Sequence, residues 1–329
     1  MNLSTKLAQL LAAGVLVAFT GLAAAQKAYP NKPIRFITPF APGGSTSVVA
    51  RLIGQKLTES WGQQVLVDSR PGGNTVIGTE ALAKAPPDGY TIILVLSTHV
   101  INPLLIPKLP YDAIKDFAPV ATVVSAEYVL VINPSVPAND LQELIALAKS
   151  KPGELNYGSA GSGGVTHLAS ELFNIMTGVK IQEIPYKGAA PAITDLIGGQ
   201  VQMFFSIPIN VIAHIKSGRL RAIAISGETR LPSLLQVPTF TEAGLPGYEV
   251  KSWFGVLAPA GTPRGIINSL SAEMAKIVAI PDIKEKLDSQ GLAPFYSTPD
   301  QFAALMKADM AKFARIIQAA DIKIENRSF

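Results

Sequence analysis

Short runs of β-branched and aromatic residues alternate along this chain with stretches whose apolar residues recur every three or four positions. That alternation predicts an α/β fold with mainly parallel sheets and helices on both faces. Strands are predicted at Ile34–Ile37, Val65–Asp68, Thr91–Leu96, Tyr128–Ile132, Leu155–Gly158, Ile181–Ile184, Met203–Ser206, Ala222–Ile225 and Gly255–Ala258. Helices are predicted between them at Ser47–Thr58, Gly78–Ala83, Leu141–Ser150, Thr166–Met176, Ala190–Gly198 and Ile209–Ser217. The C-terminal part reads as helical, with Ile267, Leu270, Met274 and Ile277 on one face and Phe302, Met306, Met310 and Phe313 on another; these are core positions. The pattern breaks near Val120–Glu127 and Ser226–Leu231, which suggests two hinges. The expected division is a lobe 1 made of residues 26–125 and 228–329 and a lobe 2 of residues 126–227, facing each other across a ligand cleft.

The first 25 residues carry one basic residue, Lys6, an apolar run from Leu7 to Leu22 and small residues at Ala23 and Ala25. They read as a secretory signal peptide cleaved near Ala25, which implies export to the periplasm. The chain has 329 residues, more than one core usually holds, in keeping with two lobes. Its formal charge is +4, and loss of Lys6 leaves 27 basic against 24 acidic groups. No block of Lys and Arg occurs, so nucleic acid is not an expected partner. The absence of cysteine rules out a disulfide scaffold, a thiol nucleophile and the lipid attachment of a lipoprotein. A monomer is expected, with no cofactor and no metal.

Candidate chemistry lies where strands break into helices. After Ile34–Ile37 the segment Pro42-Gly43-Gly44 interrupts the chain, and Ser45, Thr46 and Ser47 stand where helix caps belong. Unpaired N–H groups and the positive end of the helix dipole suit a carboxylate or phosphate there. A plain β–turn–α connection is the alternative. The stretch Leu155–Phe173 repeats the logic with Ser159, Gly161, Ser162, Gly163 and Thr166. Gly161-Ser162-Gly163 resembles the start of a dinucleotide fingerprint, but Thr166 replaces its third glycine. His167 has neither a nucleophile-and-acid pattern nor metal-ligand spacing to His99 or His214, and reads as a structural histidine. Ser97 and Thr98, Lys187 and Ser206 also follow strands. Neutral donors dominate this set and can hold a carboxylate without burying an ion pair, with Lys187 and Arg70 as optional counter-charges. No residue is assigned a catalytic role.

Five segments in order, PFAPGGSTSVVARLIGQKL, RPGGNTVIGTEALAKAPPDGYTIIL, YGSAGSGGVTHLASELF, PYKGAAPAITDLIGGQV and PTFTEAGLPGYEVKSWFGVLAPAGTP, resemble the solute-binding proteins of tripartite tricarboxylate transporters, the Bug family. The resemblance implies a two-lobed periplasmic binding protein, type II-like, that closes over a small carboxylate and presents it to a membrane permease. It also implies that the Pro42–Ser47 loop and Ser159–Gly163 catch the carboxylate. Three departures stand out: Ser47 and Ser206 replace acids usual in the family, and Gly164-Val165-Thr166 replaces a more hydroxyl-rich run. Serine in place of an acid admits a second carboxylate without like-charge repulsion, and Val165 leaves room for a ring. The expected ligand is therefore a dicarboxylate, with an aromatic, phthalate-type body as one form of it. The alternatives are a periplasmic sensor serving a signalling kinase and a secreted hydrolase using Ser159 or Ser162 with His167.

Overall fold

The computed structural model describes residues 29–322. The leader, residues 26–28 and residues 323–329 lie outside the described residues. In chain order the elements are β1 (Ile34–Thr38), α1 (Ser45–Trp61), β2 (Val65–Ser69), α2 (Val76–Ala83), β3 (Thr91–Val95), α3 (Thr98–Leu105), β4 (Phe117–Glu127) and β5 (Val129–Ile132). There follow α4 (Leu141–Ser150), β6 (Asn156–Ser159), α5 (Val165–Thr177), β7 (Gln182–Pro185), α6 (Ala189–Ile197), β8 (Met203–Ser206), α7 (Ile212–Lys216) and β9 (Arg221–Ile225). The chain closes with β10 (Lys251–Pro259), α8 (Arg264–Ala279), α9 (Pro281–Ser289), β11 (Ala293–Ser297) and α10 (Pro299–Ala319).

Two sheets result, one ordered β11-β4-β10-β3-β1-β2 and the other β7-β6-β8-β5-β9, each covered by helices. The α/β two-lobed fold is as the periodicity predicts, but the sheets are mixed. β1 runs parallel to β2 and β3, and β6 to β7 and β8, whereas β10 is antiparallel to β3 and β4, and β5 to β8 and β9. The cause is topological. β4 passes into β5 through Tyr128 alone, with no crossover helix, so strands that change sheet do not take the parallel direction of their βαβ neighbours.

Val120–Glu127 is not a loop but most of β4, buried over nearly all its length between β10 and β11. The chain leaves the first sheet at Tyr128 and returns after β9. Both crossings are tied by one side chain: Ser226 Oγ accepts the Tyr128 N–H at 2.8 Å and donates to the Val250 carbonyl, at 3% exposure. Replacing it strands a buried donor and a buried acceptor. Ser226→Ala is expected to cost about 2–4 kcal/mol in urea unfolding, and an unchanged midpoint would show that the hydroxyl ties nothing.

The core runs through both lobes. Phe173 of α5, Phe205 of β8, Phe240 and Tyr248 pack ring against ring, and the Tyr248 hydroxyl donates to the Ala169 carbonyl at 2.8 Å. α10 starts in a capping box, with Gln301 N–H donating to Thr298 Oγ1 and Thr298 N–H to Gln301 Oε1, and then packs across onto α5.

Candidate functional site

Because β1, β2 and β3 are parallel, their carboxyl ends place the loops before α1, α2 and α3 on one edge of the first sheet. The parallel trio β7, β6 and β8 does the same for the loop before α5 and for Tyr186–Gly188. The two edges meet. A Cβ placed on Gly161, whose φ of 141° suits glycine, would stand 3.8 Å from Asn74 Oδ1 of the other sheet's loop. Ligands of open α/β sheets bind at such edges.

On the first edge the helix α1 begins one residue earlier than a serine cap requires. Gly44 is the N-cap, at φ −80° and ψ 176°, and no side chain caps the helix, so Ser45, Thr46 and Ser47 form its first turn. This corrects the expectation that these hydroxyls cap it. The N–H groups of Ser47 and Val48 bond to the Gly44 carbonyl, at 3.1 and 3.2 Å, while those of Ser45 and Thr46 have no acceptor among the described residues. Ser47 is 1% exposed and its hydroxyl has no hydrogen-bond partner among the described residues. Thr98 in the first turn of α3 is likewise buried without a side-chain bond, and Ser97 Oγ has only distant partners in Ser252 Oγ and the Trp253 N–H, each at 3.5 Å. Pro42 and Gly43 are exposed at the rim.

The second edge is committed differently. Ser159 Oγ donates to Glu183 Oε1 at 2.5 Å and Ser162 Oγ to Glu183 Oε2 at 3.0 Å. Thr166 Oγ1 accepts the Ala160 N–H at 2.8 Å. Gly163 N–H donates to His167 Nδ1 at 2.8 Å, so that nitrogen carries no proton; its 3.7 Å approach to Glu183 is therefore not an ion pair. Neither serine hydroxyl donates to His167, and a serine nucleophile activated by that base is not what this loop builds. Ser206 is buried at the end of β8 and donates to the carbonyl of Ile207 at 3.1 Å. Lys187 is exposed, and Arg70 pairs with Asp68 at 2.9 Å. Val165 is 4% exposed and packs in the core at the start of α5.

Two groups escaped the sequence reading. Asn74 and Thr75 precede α2 with φ of 50° and 78°, a left-handed pair that is costly for a β-branched threonine. Asn102 of α3 holds them: its Nδ2 donates to the Asn74 carbonyl at 2.8 Å and to Thr75 Oγ1 at 3.2 Å, and its Oδ1 accepts from Asn74 Nδ2 at 2.9 Å. The signal was present as a third strand–glycine–helix break at Gly72-Gly73. The other is Glu183 on the edge strand β7, for which sequence offers no sign.

His99, next to Thr98, is fully buried; its Nε2 donates to the Ala113 carbonyl at 2.8 Å and its Nδ1 has no partner among the described residues. Burial pushes its pKa down to about 4, against the ordinary value of about 6.5. The folded form refuses a proton the unfolded chain takes, so this contribution is whole above about pH 6.5 and is lost as pH falls through about 4. Unfolding free energy should drop by about 3 kcal/mol from this group over that window. Equal pH dependence in His99→Leu and the parent protein would refute it.

Residues 49–322 match the model of the tripartite tricarboxylate transporter family receptor. Protein BugT of Bordetella pertussis is 38% identical over 329 residues, covering 99% of this chain and 100% of that protein. The structure of Rpa4515 of R. palustris with adipate is similar at 35% identity and a TM-score of 0.86, covering 90% of this chain and 99% of that one. MatC (Rpa3494) of Rhodopseudomonas palustris with bound malate is similar at 31% identity and a TM-score of 0.81, covering 88% and 100%.

Proposed function

Since this chain belongs to the tripartite tricarboxylate transporter receptors, a family of periplasmic solute-binding proteins and not of enzymes, we propose that it captures a small dicarboxylate between its two lobes and delivers it, as a monomer, to a membrane permease. The observation that carries the reading is the set of unspent neutral donors on the first edge: the N–H groups of Ser45 and Thr46, their hydroxyls, and the orphaned Ser47 hydroxyl. A buried hydroxyl without a partner costs about 1–3 kcal/mol, which a ligand oxygen at that spot would recover.

The asymmetry of the two edges supports a sequence of events. The first lobe, whose groups are uncommitted, takes the carboxylate. The second lobe then swings about Tyr128 and Ser226 to bring up the Ser159–Thr166 loop, which meets the ligand with the N–H groups of Ser162, Val165 and Thr166, because Glu183 already holds both its serine hydroxyls and the other loop N–H groups are bonded within the loop. Neutral residues at Ser47 and Ser206 leave the second carboxylate without a like charge to meet. Adipate and malate, held by the two R. palustris relatives, are both dicarboxylates, which supports the ligand class.

Thermal shift of protein refolded without ligand tests the reading against aliphatic and aromatic mono- and dicarboxylates and amino acids. At 100 times its dissociation constant a true ligand adds about 2.7 kcal/mol to stability. A rise confined to dicarboxylates is expected. Tight binding of an amino acid with none of any dicarboxylate would overturn the assignment.

A further inference from the structure

A cavity of about 440 Å³ lies away from the cleft, at the crossing between the lobes. Ser125 and Glu127 at the end of β4 form one wall, Glu228 just past β9 another, Leu168 of α5 a third, and α10 closes it with Asp309 and Phe313.

Its polar groups are unbalanced. Ser125 is 3% exposed, lines the cavity and makes no side-chain hydrogen bond among the described residues, so its hydroxyl is a built and unused group. Asp309 spends one carboxylate oxygen on the Trp253 indole N–H at 2.7 Å, and its other oxygen makes no hydrogen bond among the described residues. Burial raises the Asp309 carboxyl above its ordinary value, although the Trp253 N–H and the nearby Lys312 charge both pull the other way. Of the two lysines on the wall, Lys251 is paired with Glu127 at 3.1 Å and Lys312 donates to the Glu249 carbonyl at 3.1 Å. The carboxylates of Glu127, Glu228, Glu249 and Asp309 thus outnumber the two lysines, and while Lys251 already faces the Phe295 ring, Trp253 and Phe313 supply ring surface.

We propose that this cavity is a second ligand site, for a small organic ammonium ion with an apolar body. The ammonium would donate to the unpaired Asp309 oxygen and to Ser125 Oγ, and the ring surfaces would cover the body and favour its charge. The site differs from the carboxylate cleft in place and in the sign of charge it selects, and it stands whether or not the cleft takes dicarboxylates.

Isothermal titration of the purified protein with benzylammonium, and with benzyl alcohol as its neutral counterpart, tests this. One-to-one saturable binding of the cation and none of the alcohol is expected. Asp309→Asn should weaken it about tenfold or more, and Ser125→Ala, which keeps the strand intact, about threefold. The proposal is overturned by a lack of saturation up to about 10 mM, by equal binding of the alcohol, or by unchanged affinity in Ser125→Ala.

Discussion

Ser47→Asp is expected to abolish carboxylate binding in the cleft while leaving the protein folded. Ser47 sits in the first turn of α1, 1% exposed and without a hydrogen-bond partner among the described residues. A carboxylate in that turn meets the positive end of the helix dipole and the unpaired N–H groups, so the fold tolerates it. The same stabilisation makes it occupy the ligand's place. A second carboxylate brought within about 4–5 Å at an effective dielectric near 20 would be repelled by roughly 3–4 kcal/mol. The dissociation constant for the dicarboxylate that thermal shift selects, measured by calorimetry, should therefore rise at least about 100-fold. Ser47→Ala, which removes the hydroxyl without adding charge, should cost about tenfold or less. A dissociation constant for Ser47→Asp within about threefold of the parent would move the anion site away from α1.

The largest effect on stability is expected at Gly255. This residue lies in the middle of β10, between β3 and β4, where the ladder to β4 shifts register between Phe254 and Gly255. A Cβ there would fall 2.1 Å from Phe302 Cζ and within 2.8 Å of two further ring atoms. The ring has nowhere to go: Phe302 is fully buried and set edge-on against Trp253 at 4.9 Å, and the indole is held by Asp309. Overpacking of this kind costs about 3 kcal/mol or more, so Gly255→Ala should lower the melting temperature by about 6 °C or more, or fail to fold. Trimming the ring separates steric strain from other causes. Phe302→Leu alone destabilises, but on the Gly255→Ala background it should recover stability, a coupling visible in the double-mutant cycle. An unchanged melting temperature in Gly255→Ala would refute the contact.

How much of this was legible varies by element. The Pro33–Leu57 and Leu155–Phe173 segments announce themselves because a strand, a glycine break and a helix are all written in neighbouring residues. β4 does not: Val120–Glu127 is rich in small Ala, Thr and Ser, and what makes it a strand is hydrogen bonding to β10 and β11, which arrive far later in the chain. Ser159 and Ser162 stand before α5, where the sequence places a glycine break, yet their hydroxyls turn to Glu183 because the edge strand β7 lies beside β6. Asn74 and Thr75 were passed over because their strained backbone is imposed by Asn102 of α3, a helix the periodicity did not show.

By itself the sequence determined the α/β alternation, the glycine breaks before α1, α2 and α5, the neutral character of the donors there and the family, since each is a property of adjacent residues or of their order. Only the tertiary structure decided which donors stay unspent, which strained loop meets Gly161, how Ser226 ties the two crossings and where a cavity opens between them. Those outcomes depend on atoms brought within about 3 Å from distant parts of the chain. At that range one intervening carboxylate, such as Glu183, decides whether a hydroxyl serves the ligand or the fold.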